Sequence, residues 1–158
     1  MTRSPKPTLC KSFRDLARWT AGKIRSSTRH RLAFNEETIT ESLLLNHSES
    51  HRSPHLRIKS WSKQDEGIGT KATGGKPTGA DWDFFFADSA GAGVAVRVQA
   101  KRQYRSGSYD GLDGSGQQIK DLINNCGAAL PIYVFYNDPT WKWPFQDWLC
   151  DPDCNPRF

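Results

Sequence analysis

Two adjacent apolar segments in the middle of the chain constrain its fold most strongly, because apolar and polar residues alternate along both. Residues 79–102 read GADWDFFFADSAGAGVAVRVQAKR. Successive side chains of a β-strand point to opposite faces, so the pattern predicts a hairpin whose strands each have one apolar face. The apolar faces must lie together to be buried, and the polar faces then lie together as well. The register expected from the apolar residues pairs Phe86 with Val96.

The polar face of this hairpin is predicted to gather four side chains with functional chemistry. Asp81 and Asp83 share this face on the first strand, and Gln99 and Lys101 share it on the second. In the expected register Asp83 lies opposite Gln99, and Asp81 lies opposite Lys101, with Cβ atoms about 5 Å apart. A bulge would change the partners but keep the faces.

The residues alone leave two interpretations of this cluster open. Carboxylate and amide oxygens are ligands for hard cations such as Mg²⁺. A bound metal beside a lysine suits phosphodiester hydrolysis, because both stabilise charge on a transferring phosphoryl group. The alternative is a cross-strand Asp–Lys ion pair, worth less than about 1 kcal/mol when exposed.

The periodicity outside the hairpin completes an α/β pattern in a single domain. Apolar residues at helical spacing predict two helices before the hairpin and one after it, and alternating or continuous apolar runs predict two further strands. The predicted elements are helices at 12–26, 35–47 and 115–128, strands at 55–61 and 132–136, a loop at 62–80 and a packed, irregular tail at 137–158. The order is therefore a basic helix followed by αβββαβ, with Asn35 as the cap of the second helix.

The positive charge of the chain is concentrated at its N-terminus. Residues 1–31 hold nine Lys or Arg and one acid, a net +8, which leaves −3 for the other residues of a chain of net charge +5. We therefore divide the chain into a basic N-terminal helix or arm at 1–31 and a domain at 32–158. A basic segment of this kind indicates either contacts with a phosphate backbone or a solvated helix. The candidate phosphate contacts are Arg14, Arg18, Lys23 and Arg25, with Lys76 in the glycine-rich loop and Arg102 after the hairpin.

The sequence also predicts the cellular location of the protein. It has no apolar run of about 18 residues and no apolar signal segment, so we expect no membrane span. Its four cysteines are too few and too scattered for a disulfide-built fold, which favours a reducing, cytoplasmic location. Two alternatives stay open. The N-terminal segment could be a transit peptide, and the chain could be one piece of a longer protein.

Three glutamates of the second predicted helix are candidates for the same cluster. Glu36 and Glu37 lie in its first turn, where an acid is explained by the helix dipole. Glu41 lies deeper in the helix and has no such explanation, and it repels Glu37 at the i+4 position. A nearby cation would relieve this repulsion, so we favour Glu41, then Glu37.

These motifs together resemble the PD-(D/E)XK nuclease superfamily, in the Mrr-like variant with glutamine in place of the second acid. The resemblance covers about residues 34–137 and rests on Gly79-Ala80-Asp81 followed by Val98-Gln99-Ala100-Lys101. The order TITESLL, GADWDFFF, VQAKR, QQIKDLI and PIYVFYN is also similar to an uncharacterised bacterial family of that superfamily. The resemblance implies a restriction-endonuclease-like fold, with a mixed central sheet flanked by helices.

The resemblance also implies an activity and a set of site residues. The activity would be Mg²⁺- or Mn²⁺-dependent cleavage of a nucleic acid, DNA before RNA, with defence against foreign DNA as a role. Asp81 would bind the metal, and Asp83 would be a second ligand or the true one. The other implied site residues are Gln99 and Lys101 from the second strand, Glu41 or Glu37 from the helix, and Gln117 or Gln118 from the following helix. A homodimer or a partner protein stays open.

A second function follows from the departure at Gln99. Glutamine removes one negative charge from the metal site, which predicts weaker metal binding unless Asp83 compensates. The alternative is a catalytically inactive nuclease-fold module that binds nucleic acid or a protein partner.

Overall fold

The computed structural model describes residues 9–50, 55–109, 112 and 116–137. Apart from Asn137, the predicted packed tail therefore lies outside the described residues. The described elements are α1 (Leu9–Arg29), α2 (Glu36–Ser50), β1 (Leu56–Ser60), α3 (Lys63–Gly67), a 3₁₀ turn (Lys71–Thr73), β2 (Trp82–Ala87), β3 (Gly93–Arg102), α4 (Gln117–Asn124) and β4 (Leu130–Tyr136). The α/β class and the order of a basic helix followed by αβββαβ are confirmed, with α3 as an addition.

The four strands form one mixed sheet in the order β1-β2-β3-β4. The pairs β1–β2 and β2–β3 are antiparallel, and β3–β4 is parallel. The parallel pair needs a crossover, and α4 lies in the connection between β3 and β4. This is the mixed central sheet flanked by helices that was predicted.

The hairpin keeps the predicted faces, but its predicted register is wrong by two residues. Phe86 pairs with Val94, and Val96 pairs with Phe84. The turn decides this, because the Asp88 carboxylate accepts the backbone N–H groups of Ala90 and Ala92 at 2.9 and 3.0 Å and closes a short connection. A shift of two residues preserves the alternation, so the apolar side chains still share one face.

One face of the sheet forms the core with α1 and α2. Ile24 of α1 and Ile39 of α2 are buried there with Trp82, Phe84 and Val98 of the sheet. The helix within the basic segment 1–31 therefore packs as part of the domain core. Within residues 9–50, 55–109 and 116–137, no helix combines the length and the apolar character that a membrane span requires.

Local signals fix the start of α2. The Asn35 side chain accepts the backbone N–H of Thr38 at 2.9 Å and its hydroxyl at 2.6 Å, so Asn35 is the cap that was predicted. The cap places Glu36 and Glu37 in the first turn of the helix.

The helix α4 is shorter than predicted, and two of its apolar side chains are exposed to solvent. Of its three apolar residues, Leu122 is buried, whereas Ile119 and Ile123 are 41% and 53% exposed. Leu122 packs where the chain enters β2, against Gly79, which has φ +62°. A glycine with positive φ lets the backbones approach closely, because it has neither a Cβ nor a penalty for the left-handed conformation.

Candidate functional site

Asp81 and Gln99 meet at the end of the β2–β3 hairpin. The Gln99 side-chain amide donates to Asp81 Oδ2 at 2.7 Å, and the backbone N–H of Ala100 donates to the same oxygen at 2.7 Å. A contact between an acid and the amide is therefore present on the predicted face, but with Asp81 in place of the predicted Asp83. Because of the changed register, Asp81 faces Gln99 instead of Lys101.

Lys101 lies beside a helix glutamate. Its side chain is 7% exposed, and its Nζ lies 3.7 Å from Glu36 Oε1. The other oxygen, Glu36 Oε2, accepts the backbone N–H of Arg102 at 2.8 Å. The N-terminal end of α2 thus brings Glu36 to the end of β3.

The preference for Glu41 as the helix glutamate is not supported by the structure. Glu41 is exposed on α2, whereas Glu36 is half-buried beside Lys101. Glu37 is exposed, and its carboxylate lies 3.4 Å from the ammonium of Lys63. The first turn of the helix therefore supplies the acids, since the cap at Asn35 points this turn towards the end of the sheet.

Burial makes the two central carboxylates harder to ionise. Burial raises the pKa of Asp81, although the hydrogen bond from Ala100 N–H opposes the rise. Burial also raises the pKa of Glu36, and the charge of Asp81 adds to this rise while Lys101 opposes it. Two partly buried acids that affect each other are a setting in which a cation binds favourably.

A second lysine and a second glutamate, which the sequence reasoning missed, complete the cluster. Lys63 Nζ lies 2.8 Å from Glu66 Oε2 and 3.7 Å from Asp81 Oδ1. Burial works against the charged form of Lys63, but the hydrogen bond to Glu66 and the charges of Glu66, Asp81 and Glu37 raise its pKa. Both residues come from α3, in the segment predicted to be a loop.

A sequence signal for α3 exists. Ser62 and Asp65 form a capping box in which each side chain accepts the backbone N–H of the other. The pattern Ser-x-x-Asp is close to the usual Ser-x-x-Glu, and it marks the start of a helix.

Gln118, rather than Gln117, reaches this cluster from α4. Its side-chain amide donates to Glu66 Oε1. Gln117 instead donates to Asp121 of its own helix at 2.8 Å. Both glutamines line an open cleft of about 450 Å³, together with Glu37, Lys63 and Glu66.

Asp83 belongs to a separate contact. In the observed register it lies opposite Arg97, which binds both carboxylate oxygens at 2.9 Å. Arg97 also donates to the backbone carbonyl of Asn125 at 2.6 Å. The expected position of Asp83 opposite Gln99 is wrong, because the register places Asp83 two residues further along the hairpin. Its geometry is that of a structural ion pair.

The candidate phosphate contacts lie in three different places. Arg14, Arg18, Lys23 and Arg25 are exposed on α1. Phe13 of this helix contacts Phe84 and Phe86, so α1 packs on the apolar face, opposite to the face that carries Asp81. Lys76 is exposed at a cleft of about 420 Å³ that also contains Trp61.

Arg102 points inwards rather than towards solvent. Its guanidinium donates to the backbone carbonyl of Phe34, and its backbone N–H binds Glu36. The structure therefore gives Arg102 the role of a link between β3 and the start of α2. Its expected contact with phosphate is not supported by this geometry.

The cluster contains few acidic ligands for a metal. Among the described residues, no group of three or more His, Cys, Asp or Glu side chains is arranged to hold a metal ion. The side chains near Asp81 that could contribute oxygen ligands are the amide of Gln99 and the carboxylates of Glu36 and Glu66, whose charges interact with that of Asp81. Asp81 with one of these glutamates and the amide is a set compatible with Mg²⁺, which is commonly bound through one or two carboxylates, waters and substrate phosphates.

A family model covers almost all of the chain. It describes a family of unknown function, DUF6615, and matches residues 9–156. The chain belongs to DUF6615. A comparison with curated proteins finds no match. All site residues described above lie within the segment that the DUF6615 model matches.

Proposed function

We propose that this protein is a metal-dependent nuclease of the PD-(D/E)XK type that hydrolyses phosphodiester bonds in DNA. The observation that carries the proposal is the contact between Asp81 and the buried amide of Gln99, with the buried Lys101 two residues further along the strand. The sequence resemblance supports the same assignment, because its two motifs supply these three residues.

The donor atoms fit a divalent cation. Within the described residues, Gln99 Oε1 is buried and lacks a hydrogen-bond partner, although the amide nitrogen beside it binds Asp81. A buried acceptor without a partner is costly, and a bound cation would satisfy it. Asp81 and Gln99, together with Glu36 or Glu66, would hold Mg²⁺ or Mn²⁺. When bound, the metal supplies Lewis-acid polarisation of the phosphoryl group and a more acidic water.

Lys101 provides the charge that the reaction requires. Its ammonium is almost fully buried, where electrostatic interactions are stronger than in water. It would stabilise negative charge on the phosphoryl oxygens and orient the attacking water. Glu36, 3.7 Å away, holds the ammonium in place.

The first experiment is a plasmid-cleavage assay with Mg²⁺ or Mn²⁺ and with EDTA. We expect Lys101→Met and Asp81→Asn to cut at least about 100-fold more slowly than the unchanged protein, the usual effect of losing an electrostatic catalytic group. Lys120→Met, which removes an exposed lysine of α4, is the matched control and should cut normally. Equal cleavage by the unchanged protein and Lys101→Met would refute the catalytic assignment.

The alternative of an inactive module gives a different result in the same experiment. Such a module would bind DNA in a salt-dependent way, without cleavage and without a requirement for metal. The nuclease proposal would then be abandoned in its favour.

A further inference from the structure

We propose that the Lys63 ammonium and a divalent cation compete for the carboxylates of Glu66 and Asp81, so that Lys63 controls metal loading of the site. The inference rests on the proposed function only for the kind of cation. Neither Lys63 nor Glu66 belongs to the two motifs on which the sequence resemblance depends.

The position of Lys63 is that of a cation among ligands. Its Nζ lies 2.8 Å from Glu66, 3.4 Å from Glu37 and 3.7 Å from Asp81. A single positive charge thus lies within 4 Å of three carboxylates, of which those of Glu66 and Asp81 are nearly buried. The charge of Glu66 also raises the pKa of Asp81, so the two acids repel each other when no cation separates them.

The carboxylates are fixed, whereas the lysine can move. Glu66 is held by Gln118, and Asp81 is held by Gln99 and the backbone of Ala100. The side chains of Glu66 and Asp81 are both 9% exposed, while that of Lys63 is 56% exposed. A flexible lysine stem on the open side of the cluster can swing into solvent while these hydrogen bonds keep the repelling acids in position.

A second, independent observation indicates that the site takes a ligand. Gln99 is fully buried, and the amide that contacts Asp81 keeps its oxygen without a partner among the described residues. The Gln99 amide lies against Asp81, the carboxylate that Lys63 also approaches, so a buried acceptor without a partner borders the cluster.

Isothermal titration of the full chain with Mn²⁺ tests the competition directly. The apparent affinity falls by the fraction of molecules in which the carboxylates are free, so a lysine that occupies them about nine-tenths of the time weakens binding about tenfold. We expect Lys63→Met to bind Mn²⁺ at least about tenfold more tightly than both the unchanged protein and Lys120→Met. The Lys120→Met control makes the same change in net charge at an exposed position of α4. Adding Glu66→Gln to Lys63→Met should abolish the gain.

The opposite outcomes overturn the inference. Unchanged or weaker Mn²⁺ binding by Lys63→Met would show that Lys63 does not compete, and so would absence of binding in both proteins. If Lys63→Met does not fold without metal, Lys63→Gln serves as the second variant. If neither variant folds, added Mn²⁺ must restore the fold, and failure to do so rejects the idea.

This test is separate from the test of the nuclease. A gain in Mn²⁺ affinity without any DNA cleavage would keep the competition and reject the proposed activity. Cleavage that depends on Lys101 together with an unchanged Mn²⁺ affinity in Lys63→Met would do the reverse.

Discussion

The substitution Gly79→Ala tests how the motif before Asp81 is positioned. An alanine Cβ at this place would lie 2.5 Å from Leu122 N, 2.7 Å from Gln118 O and 3.0 Å from Leu122 Cα. All three are backbone atoms of α4, which cannot move away as the end of a flexible side chain could. The backbone N–H of Gly79 also donates to the carbonyl of Glu66 at 3.1 Å, so the same residue ties α3 to the entrance of β2.

The expected cost has two parts that a matched control separates. Alanine in the left-handed conformation costs roughly 1–2 kcal/mol, and forcing a methyl group into closely packed atoms adds roughly 1–3 kcal/mol. Gly74 has a similar φ of +67°, but a Cβ there would meet nothing within 4 Å. Gly74→Ala should therefore lose only the first part, whereas Gly79→Ala should lose about 2–5 kcal/mol of unfolding free energy.

Urea denaturation of both variants, followed by tryptophan fluorescence and circular dichroism, measures these free energies of unfolding. The comparison is made in EDTA, so that metal binding does not contribute. If Gly79→Ala were no less stable than Gly74→Ala, the close approach of Gly79 and α4 would not exist in solution, and our account of how α4 reaches the site would fail.

Three further changes give distinct results. Asp83→Asn breaks the ion pair with Arg97 and should lower the unfolding free energy by about 2 kcal/mol, with DNA cleavage reduced no more than the folded fraction; a selective loss of cleavage would place Asp83 in the site. Asn35→Ala removes the α2 cap and should lower the unfolding free energy by about 1 kcal/mol, and thermal melting that did not change would contradict the cap. Burial raises the pKa of Asp81, so the folded chain holds that proton more tightly than the unfolded chain, and its stability falls as pH rises through the raised pKa. In EDTA, the unfolding free energy of the unchanged protein relative to Asp81→Asn should therefore fall as the pH rises above about 4, the usual pKa of an aspartate, and a rise instead would contradict the burial of the carboxylate.

The common face of Asp81 and Gln99 could be predicted from the sequence because it depends on side-chain parity, although Asp83 was the predicted partner of Gln99. Burying the apolar residues of both strands leaves only one face for the acid and the amide. The register could not be predicted in the same way, since a shift of two residues preserves every face. Hydrogen bonds of Asp88 within the turn decide the register. In the observed register Asp83 pairs with Arg97, and not with Gln99 as predicted.

The contribution of α3 was missed for a different reason. A segment rich in Gly, Lys and Thr reads as a loop, although the capping box at Ser62 was a local signal. The place of Glu66 in the site depends on Gln118, which is 52 residues away in the chain. Contacts of this kind depend on the packing of α4, and no local pattern encodes them.

The position of Glu36 beside Lys101 could not be predicted from the pattern of the helix. The helix dipole alone explains acids in a first turn, which is why Glu41 is the glutamate that the sequence favours. The structure shows that the same first turn lies beside Lys101. An acid can satisfy the helix end and the site together, so the dipole does not argue against a second role.

The backbone hydrogen bond that Asp81 accepts from Ala100 has a consequence for how relatives of this protein are interpreted. The carboxylate closes the open end of the β2–β3 ladder by binding an N–H group that the strand leaves available. A relative that had lost all chemistry would still gain from an aspartate here, because the ladder would otherwise fray. Retention of the aspartate among relatives would thus report the integrity of the sheet, whereas retention of Lys101, whose ammonium lies beside Glu36 and makes no such bond to the ladder, would be the more informative sign of a working enzyme.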